Sequence, residues 1–346
     1  MRTRLHLNIL LTSLIMACAL QPLWAQPGFD LDIKKPEPYE NRLLKAEKTG
    51  DKKLKAPKRF FQNLTTHYNY YFNANNKLNE VILRAKAAHK DDYGDLLPFY
   101  NYTLDATAQD AQQLDSVIYK SQTGIVMHDL RNDWMDNMYM LWGAAQFFQK
   151  KFDSASLMFQ FINYAFAEKE KDGYYRYIGS RMDGGSATNI STKEKEGLVK
   201  KVFATSPSRN DAFIWQIRSL IELDNLTEAG SLIVTLKSDP NFPERLTDDL
   251  EELQAYWFYK QERWDSSATH LVKALNQAQN KSEKARWEFL AAQMFERSNK
   301  FETAEQLYSK AIGHGTDPVM DVYARLNLVR INKDSSDNYI DRNIAE

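Results

Sequence analysis

Apolar residues along most of the chain recur at three- and four-residue intervals, which is the spacing of one face of an α-helix. From Phe60 onward this pattern predicts one helix after another, separated by short polar turns. A break with Gly94 and Pro98 interrupts it. We predict two helices that meet near 73–76, then helices over 106–119 and 122–130, and then a pair over 133–149 and 153–166. The predicted fold class is therefore all-α.

One motif occurs in the second helix of four predicted pairs. A small residue has a large apolar residue three positions before it and another four positions after it, as Phe301 and Tyr308 flank Ala304. Small side chains allow two helices to approach closely, so we expect each small residue to face the first helix of its pair. The small residues are Ala155, Ala229, Ser267 and Ala304, and twelve positions before them stand Gly143, Ile217, Ala255 and Ala292.

The spacing of these small residues predicts a repeat architecture. The last three are 38 and 37 positions apart, slightly more than the period of about 34 in tetratricopeptide repeats. Unrelated helical packing is the alternative. We predict a tetratricopeptide-like helix-pair solenoid with one small irregular insertion, and such solenoids commonly bind protein segments on their concave face.

The predicted insertion, 168–208, separates N-terminal helical repeats at 59–167 from further repeats at 209–346. It holds five of the thirteen glycines, a β-prone run at 174–178, and a capping-box pattern of Ser191 and Glu194 before a helix-like stretch. Tyrosine and arginine are enriched in binding hot spots. The insertion is thus a candidate protein-binding surface, the alternative being a loop that packs on its own solenoid. Its candidate residues are Tyr174, Tyr175, Arg176, Tyr177, Arg181 and Asp183.

The N-terminus, 1–25, has the pattern of an export signal, with basic MRTR before the apolar run LHLNILLTSLIMACAL. Cys18 is the only cysteine, so the mature fold is expected to have no disulfide and no redox chemistry. In one processing route Ile15–Cys18 is a lipobox and Cys18 is lipidated, although Met16 is unusual there. In the other, cleavage follows Ala25, although Leu23 is bulky for that site. We favour lipidation.

Residues 26–58 contain prolines and many charges, which predicts a flexible tether with a short helix near 41–48. A last helix is predicted at 319–331. Since a solenoid needs a polar cap after its last pair, we expect the array to continue, either beyond this sequence or in a partner, and we favour the first.

Composition and charge mainly argue against nucleic-acid binding and a metal site. The 346 residues carry a net charge of −1, which leaves no basic excess for binding nucleic acid. No two of the six histidines stand at metal-ligand spacing, and we predict turn or surface positions for them. We also predict that Asp91, Asp92 and Asp95, which cluster around Gly94, lie in a solvated turn. Glu251 and Glu252 are predicted on a solvent-facing side of a helix. The sequence thus predicts a protein without catalytic residues, cofactor or metal.

Several segments together resemble the N-terminal part of the PorW/SprE lipoproteins of Bacteroidetes. They are YNYYFNANNKLNEVI, MYMLWGAAQFFQKKFDSASLMFQFINY, YYRYIGSRMDGGSATNISTKEKEG and SPSRNDAFIWQIR. The resemblance implies a tetratricopeptide lipoprotein of the type IX secretion system, tied to gliding motility. Its place would be the periplasmic face of the outer membrane, or the periplasm if Cys18 is not lipidated. Its expected partners are motor and ring components and the outer-membrane translocon.

Two other functions are open. A SusD-like outer-membrane lipoprotein would bind glycans through exposed aromatics, which requires Trp142, Trp215, Trp257, Trp264 and Trp287 to lie on one open face. Their helical spacing predicts instead that most are core residues. An envelope enzyme with its catalytic part outside this sequence is the other possibility, and nothing in 1–346 favours it.

Overall fold

The computed structural model of the chain describes residues 33, 35–49, 54–166, 190–194 and 208–331. These residues form helices and turns, and no strand occurs among them. The all-α prediction is confirmed for this part of the chain. Cys18, the six candidate residues of the insertion and the chain after 331 lie outside the described residues.

The α-helices, in chain order, are α1 (Ala56–Thr65), α2 (Phe72–Ala88), α3 (Leu104–Gln109), α4 (Ala111–Val126), α5 (Met135–Phe148), α6 (Phe152–Ala165), α7 (Ser208–Glu222), α8 (Leu226–Ser238), α9 (Thr247–Lys260), α10 (Trp264–Lys273), α11 (Lys281–Arg297), α12 (Phe301–His314) and α13 (Pro318–Ile331). A π-helical turn at Thr66–Tyr71 joins α1 to α2 without a break. Short 3-10 helices occupy Glu37–Tyr39, Glu244–Leu246 and Ala274–Gln277.

Helices that are adjacent in sequence pack against each other from α4 to α13. Four hairpins follow one another: α5–α6, α7–α8, α9–α10 and α11–α12. We call α5, α7, α9, α11 and α13 the first helices, and α6, α8, α10 and α12 the second helices. First helices of neighbouring hairpins also touch, as α5 and α7 and then α7 and α9 do.

One turn closes all four hairpins. Each turn has a non-glycine residue in the left-handed region, with φ between 56° and 63°, five positions before the small residue of the second helix. At the first hairpin the Lys150 amide donates to Phe147 O and the Lys151 amide to Gln146 O, both at 2.9 Å. This hydrogen-bond pair is the Schellman motif. The equivalent pairs form at the other three turns, whose left-handed residues are Asp224, Glu262 and Asn299.

The small residues lie where the sequence motif predicts, at the contact between the two helices of each hairpin. All four are fully buried. Ser267 shows the contact directly, because its Oγ donates to Ala255 O at 2.8 Å. In the first hairpin a Cβ on Gly143 would lie 2.7 Å from the Phe159 ring, so only glycine fits there. The large residues four positions later are buried in every hairpin: Phe159, Ile233, Leu271 and Tyr308.

The N-terminal helices differ from their predicted boundaries. No break occurs at 73–76, because Asn73 lies inside the helical run and its Nδ2 bonds the Asn69 and Tyr68 carbonyls. An asparagine that bonds the preceding turn does not end a helix. The predicted helices at 106–119 and 122–130 are instead the short α3 and the longer α4. Gly124 lies inside α4, where a Cβ would come within 2.7 Å of the Met138 side chain on α5.

Residues 35–49, within the predicted tether, pack on the helices. Leu44 is buried, the Ala46 amide donates to Val126 O at 3.3 Å, and Thr49 Oγ1 accepts from the Leu130 amide at 3.0 Å. The short helix predicted near 41–48 is wrong, because turns occupy these positions. These contacts attach this part of the segment to the end of α4.

The predicted capping box is also wrong. The Ser191 amide donates to Asp239 Oδ2 at 2.6 Å, and its hydroxyl has no partner among the described residues. Glu194 accepts instead from Arg245, at 2.8 and 2.9 Å. Contacts distant in sequence therefore hold this stretch, and the local pattern does not.

The shared turn predicts a substitution that stabilises the fold. Glycine adopts the left-handed conformation without the steric cost that a side chain pays there. We expect Glu262→Gly, at an exposed residue with φ 56°, to raise the free energy of unfolding by about 0.5–1 kcal/mol in urea denaturation. Glu262→Val at the same position should lower it, because β-branched residues are most strained there. Equal effects of the two variants would contradict the turn geometry.

Candidate functional site

The non-helical segment at 89–103 crosses the face formed by the first helices. Its Tyr93 hydroxyl donates to Asp317, just before α13, at 2.9 Å, and its Tyr93 ring packs on Phe289 of α11. Further along, Phe99 packs on Tyr256 of α9. The crossing segment thus runs backwards over the array, and it ends beside α5, where Tyr102 packs on Phe148.

Side chains of the first helices hold the crossing segment by its main chain. Gln293 of α11 makes a bidentate contact, since its Oε1 accepts from the Leu97 amide at 3.0 Å and its Nε2 donates to Asp95 O at 2.7 Å. Tyr259 of α9 donates to Leu97 O at 2.9 Å. This is how a groove recognises an extended peptide, because main-chain bonds give affinity for any sequence.

Arg286 of α11 makes the densest set of contacts to the crossing segment. Its guanidinium donates to the carbonyls of Pro98 at 2.8 Å, Phe99 at 3.1 Å and Tyr100 at 3.4 Å. The same group forms a two-pronged ion pair with Asp91, at 2.6 and 2.8 Å. Both side chains are about nine-tenths buried or more. All the donors that Arg286 points at the segment are therefore satisfied.

The electrostatics of Asp91 follow from this pair. Burial by itself would raise the pKa of the Asp91 carboxyl, but the hydrogen bond and charge of Arg286 outweigh it and lower the pKa. His89 Nε2 lies 3.0 Å from Asp91 Oδ1, the oxygen that also accepts from Arg286 Nη2. The predicted solvated turn is confirmed for Asp92 and Asp95, which are exposed. It is wrong for Asp91, because Arg286, almost 200 positions later, buries its carboxylate.

Apolar side chains anchor the middle of the crossing segment. Leu97 is fully buried and Phe99 is 3% exposed. Next to them the Arg218 guanidinium of α7 lies 5.0 Å from the centre of the Tyr100 ring and pairs with Glu252 at 3.0 Å. This part of the first-helix face is therefore occupied by the protein's own chain.

Closer to the N-terminus the same face holds an open cavity of about 420 Å³ between α2, α5 and α7. We call it the amide groove, because Asn75, Asn79 and Asn137 line it. Asn137 Nδ2 donates to Ser208 Oγ at 2.7 Å, and its Oδ1 has no partner within the described ranges. Amide side chains offer both a donor and an acceptor, as a peptide main chain requires. Tyr71, Trp134 and Trp215 supply aromatic walls.

A second cavity, of about 510 Å³, lies between the crossing segment and the first two hairpin turns. Aromatic rings line most of it, and at its rim Tyr256 donates to Glu222, which also pairs with Lys260 at 3.4 Å. Burial first, and the Glu222 carboxylate next, strongly raise the pKa of Tyr256. The tyrosine therefore stays protonated as a donor.

The structure corrects other polar predictions. Glu251 and Glu252 are buried and not on a wet face, because Lys237 pairs with the first and Arg218 with the second. His128 lies in a bend after α4, in agreement with the predicted turn position, but it is buried and its Nδ1 lies 2.8 Å from Gly124 O. Basic partners on neighbouring helices make the burial of the two glutamates possible.

The tryptophans agree with the predicted core. Trp142 and Trp287 are buried, and Trp215, Trp257 and Trp264 are partly buried. Trp257 Nε1 donates to Leu226 O at 2.7 Å, which ties that ring to the turn of the preceding hairpin, α7–α8. These five rings do not form one exposed face.

The residues that hold the crossing segment were not identified from the sequence. Arg286 and Gln293 lie seven positions apart on α11, which is the only local signal that they share a helix face. Nothing in the sequence pattern relates them to residues 89–103.

The described part of the chain contains no helix with both the length and the apolar character needed to span a membrane. Within the same ranges, no three His, Cys, Asp or Glu side chains are grouped so as to hold a metal ion. Comparison of the chain with known family models and with curated proteins gives no match.

Arg286 provides the first test of the site. Arg286→Met removes the guanidinium from the buried Asp91 charge and leaves only His89 beside it, so we expect a loss of about 3–5 kcal/mol in the free energy of unfolding. Arg325→Met is the matched control, because its pair with Asp321 is more exposed and is expected to be worth about 0.5 kcal/mol or less. Guanidinium denaturation measures both. Similar small losses would show that the buried clamp does not hold the fold.

The carboxyl group of Asp249 on α9, near the Arg218–Glu252 pair, predicts a pH dependence of stability. Burial, and next the Glu252 carboxylate, raise the pKa of Asp249 from its ordinary 3.8 to about 6. The folded state therefore binds this proton more tightly than the unfolded state, and its contribution to stability is lost as the pH rises from about 4 to 6.

Asp249→Asn should therefore raise the free energy of unfolding by about 1–3 kcal/mol at pH 7.5, and by nothing at pH 4. Thermal and urea unfolding across this range measure the difference. Glu302→Gln makes the same charge change at an exposed position of α12 and is the control. A gain that does not depend on pH would contradict the assignment.

Proposed function

We propose that the chain is a tetratricopeptide-like solenoid that serves as a non-enzymatic adaptor between other proteins of the cell envelope. The observation that carries the proposal is the first-helix face, which binds an extended segment through main-chain hydrogen bonds from Gln293, Tyr259 and Arg286. A surface that holds 89–103 in this way has the chemistry for holding a partner's segment.

The repeated hairpin supports the solenoid part of this proposal. Four turns share one left-handed position and one pair of hydrogen bonds, and each is followed by a buried small residue at the same offset. Tetratricopeptide repeats are helix–turn–helix units of this kind, of slightly shorter period. Their first helices form the binding face in such arrays, which is the face that the crossing segment covers here.

The amide groove is the part of this face that we propose for a partner. The crossing segment leaves it open, and Asn75 and Asn79 present their amides there beside Tyr71 and Trp134. An extended protein segment would place its main chain against the amides and its side chains against the rings. The insertion residues Arg176 and Arg181 stay a predicted second contact.

The cellular role that we propose comes from the resemblance to PorW/SprE lipoproteins. The adaptor would link motor and ring components of the type IX secretion system to the outer-membrane translocon, in support of secretion and gliding. Lipidated Cys18 would hold it at the periplasmic face of the outer membrane, and otherwise it would be soluble in the periplasm. The buried and partly buried tryptophans favour this role over SusD-like glycan capture.

A site-specific crosslink tests the adaptor function. A photo-crosslinking residue replaces Asn79 in the amide groove of the tagged full-length chain, and in a second strain it replaces Lys310, an exposed residue of the second helix α12. Mass spectrometry then identifies the products from the protein's own cells. We expect translocon or motor-ring proteins on residue 79 and far fewer on residue 310, because the partner segment lies on the first-helix face.

Recovery of a TonB-dependent importer, or of glycan without a protein partner, would overturn the adaptor function. Equal products from both positions would overturn the amide groove as the contact. Purified proteins with unchanged circular dichroism establish that each replacement leaves the fold intact.

A further inference from the structure

The outward face of α1 and the π-helical turn is apolar. Phe60, Phe61, Leu64, Tyr68 and Phe72 are 63%, 66%, 44%, 57% and 50% exposed. We call these five residues the outer stripe. Contiguous exposed apolar side chains of this size mark an interaction site on most proteins.

The inward face of the same helix is polar where α1 meets the body. Gln62 is 5% exposed and its Oε1 accepts from the Asp129 amide at 2.8 Å. Thr66 is fully buried and accepts from Asn132 Nδ2 at 2.9 Å. An ordinary surface helix buries its apolar stripe and exposes its polar one. Here the polarity is inverted, so the fold itself does not explain the outer stripe.

The π-helical turn keeps the stripe straight. Phe60, Leu64, Tyr68 and Phe72 follow one another at four-residue steps, and four residues exceed one α-helical turn of 3.6 residues. Such a row would drift around a regular α-helix. A π-helix has more residues per turn than an α-helix. The π-helical turn at Thr66–Tyr71 therefore offsets the angular drift of the row. The aromatic side chains therefore stay on one side along three turns of helix.

The charge along the helix that carries the stripe has one sign, although Asp133 of the neighbouring turn pairs with Arg59. No Asp or Glu occurs from residue 54 to residue 79, whereas Lys55, Lys58, Arg59 and Lys77 do. Lys55 and Lys58 are exposed at the start of α1, next to the first phenylalanines. The whole chain has a net charge of −1, so this helix is a local basic region on a nearly neutral protein. A surface that complements it is negatively charged.

We propose that the outer stripe docks on a membrane surface that contains anionic phospholipid. Basic residues beside Phe, Leu and Tyr on one face are the composition of helices that lie in the headgroup region of a bilayer. The rings would enter the acyl boundary while Lys55 and Lys58 contact phosphates. A partner helix offers no comparable reason for the absence of acidic residues over 54–79.

The chain length before the described body agrees with this occupant. Seventeen positions separate Cys18 from residue 35, where the described stretch attached to α4 begins. Such a length spans at most about 60 Å. A lipid on Cys18, which rests on the proposed function, would therefore keep α1 within reach of the bilayer.

A fluorescence experiment on the full chain tests the docking. Cys18→Ser removes the only other thiol, and Leu64→Cys is then labelled with an environment-sensitive fluorophore. Val234→Cys is the matched control, because Val234 of α8 is 66% exposed and lies on a different helix. Both variants carry the same N-terminal apolar run, so the difference between them reports the helix.

With vesicles of phosphatidylethanolamine and phosphatidylglycerol, we expect a blue shift at residue 64 and quenching by lipid-borne quenchers, with neither at residue 234. Phosphatidylcholine vesicles should weaken the blue shift, because they carry no net negative charge for the basic residues. High salt should weaken it as well, because it screens the attraction between lysine and phosphate. Phe61→Ser with Leu64→Ser should lower vesicle partitioning about tenfold relative to Val234→Ser in the same Cys18→Ser chain. All these side chains are exposed, so the fold is expected to be unchanged.

No spectral change at residue 64 on anionic vesicles would overturn the proposal. A blue shift without vesicles that grows with protein concentration would also overturn it, because a second copy would then cover the stripe. The measurement uses purified protein and lipid only, so its failure leaves the adaptor function standing. Conversely, loss of the residue-79 crosslinks would leave the vesicle result unaffected.

Discussion

The contact between Arg286 and the crossing segment is the constraint on which the described structure depends. One buried guanidinium binds the Asp91 carboxylate and three successive carbonyls, so these main-chain groups of a stretch without secondary structure are paired in the interior. Without this contact, Leu97 and Phe99 could not lie buried against α9 and α11. Main-chain carbonyls beside them would then lose water without gaining a hydrogen-bond partner. The contact between Arg286 and the crossing segment therefore joins the helices before residue 89 to the helices after residue 281. The hairpin repeat alone would leave these two groups of helices far apart in the array.

The same contact shapes the proposed function. Helical arrays bind extended segments on the face of their first helices, and most of that face is here filled from α13 to α5 by 89–103. What stays open is the amide groove at one end and the outer stripe of α1 beyond it. The two surfaces differ in chemistry, since one presents amides between aromatic walls and the other presents rings beside basic residues. A protein segment suits the first and an anionic bilayer suits the second, so one adaptor could hold both at the same time.

Sequence periodicity was sufficient for the hairpins from α5 to α12, because their contacts are local. The small residue, its partner twelve positions earlier and the large residue after it all meet within one hairpin. Local sequence patterns gave wrong predictions for the boundary between α1 and α2 and for the capping box. Asn73 looked like a break but bonds its own preceding turn, and Ser191 matched a local motif but is held by Asp239, 48 positions away. Glu251 and Glu252 looked solvated because their cationic partners lie on other helices.

The sequence by itself therefore determined the all-α class, the offsets of the repeated hairpin and the excess of positive charge at 54–79, since each depends on residues close together in the chain. Tertiary structure alone decided that 89–103 crosses the first helices, that Asp91 is buried beside Arg286, and that Phe60 and Leu64 face outward while Gln62 faces inward. An apolar helical stripe has the same pattern whether it meets a core or solvent. Only the position of α4 and the 126–134 turn determines which side of α1 is covered.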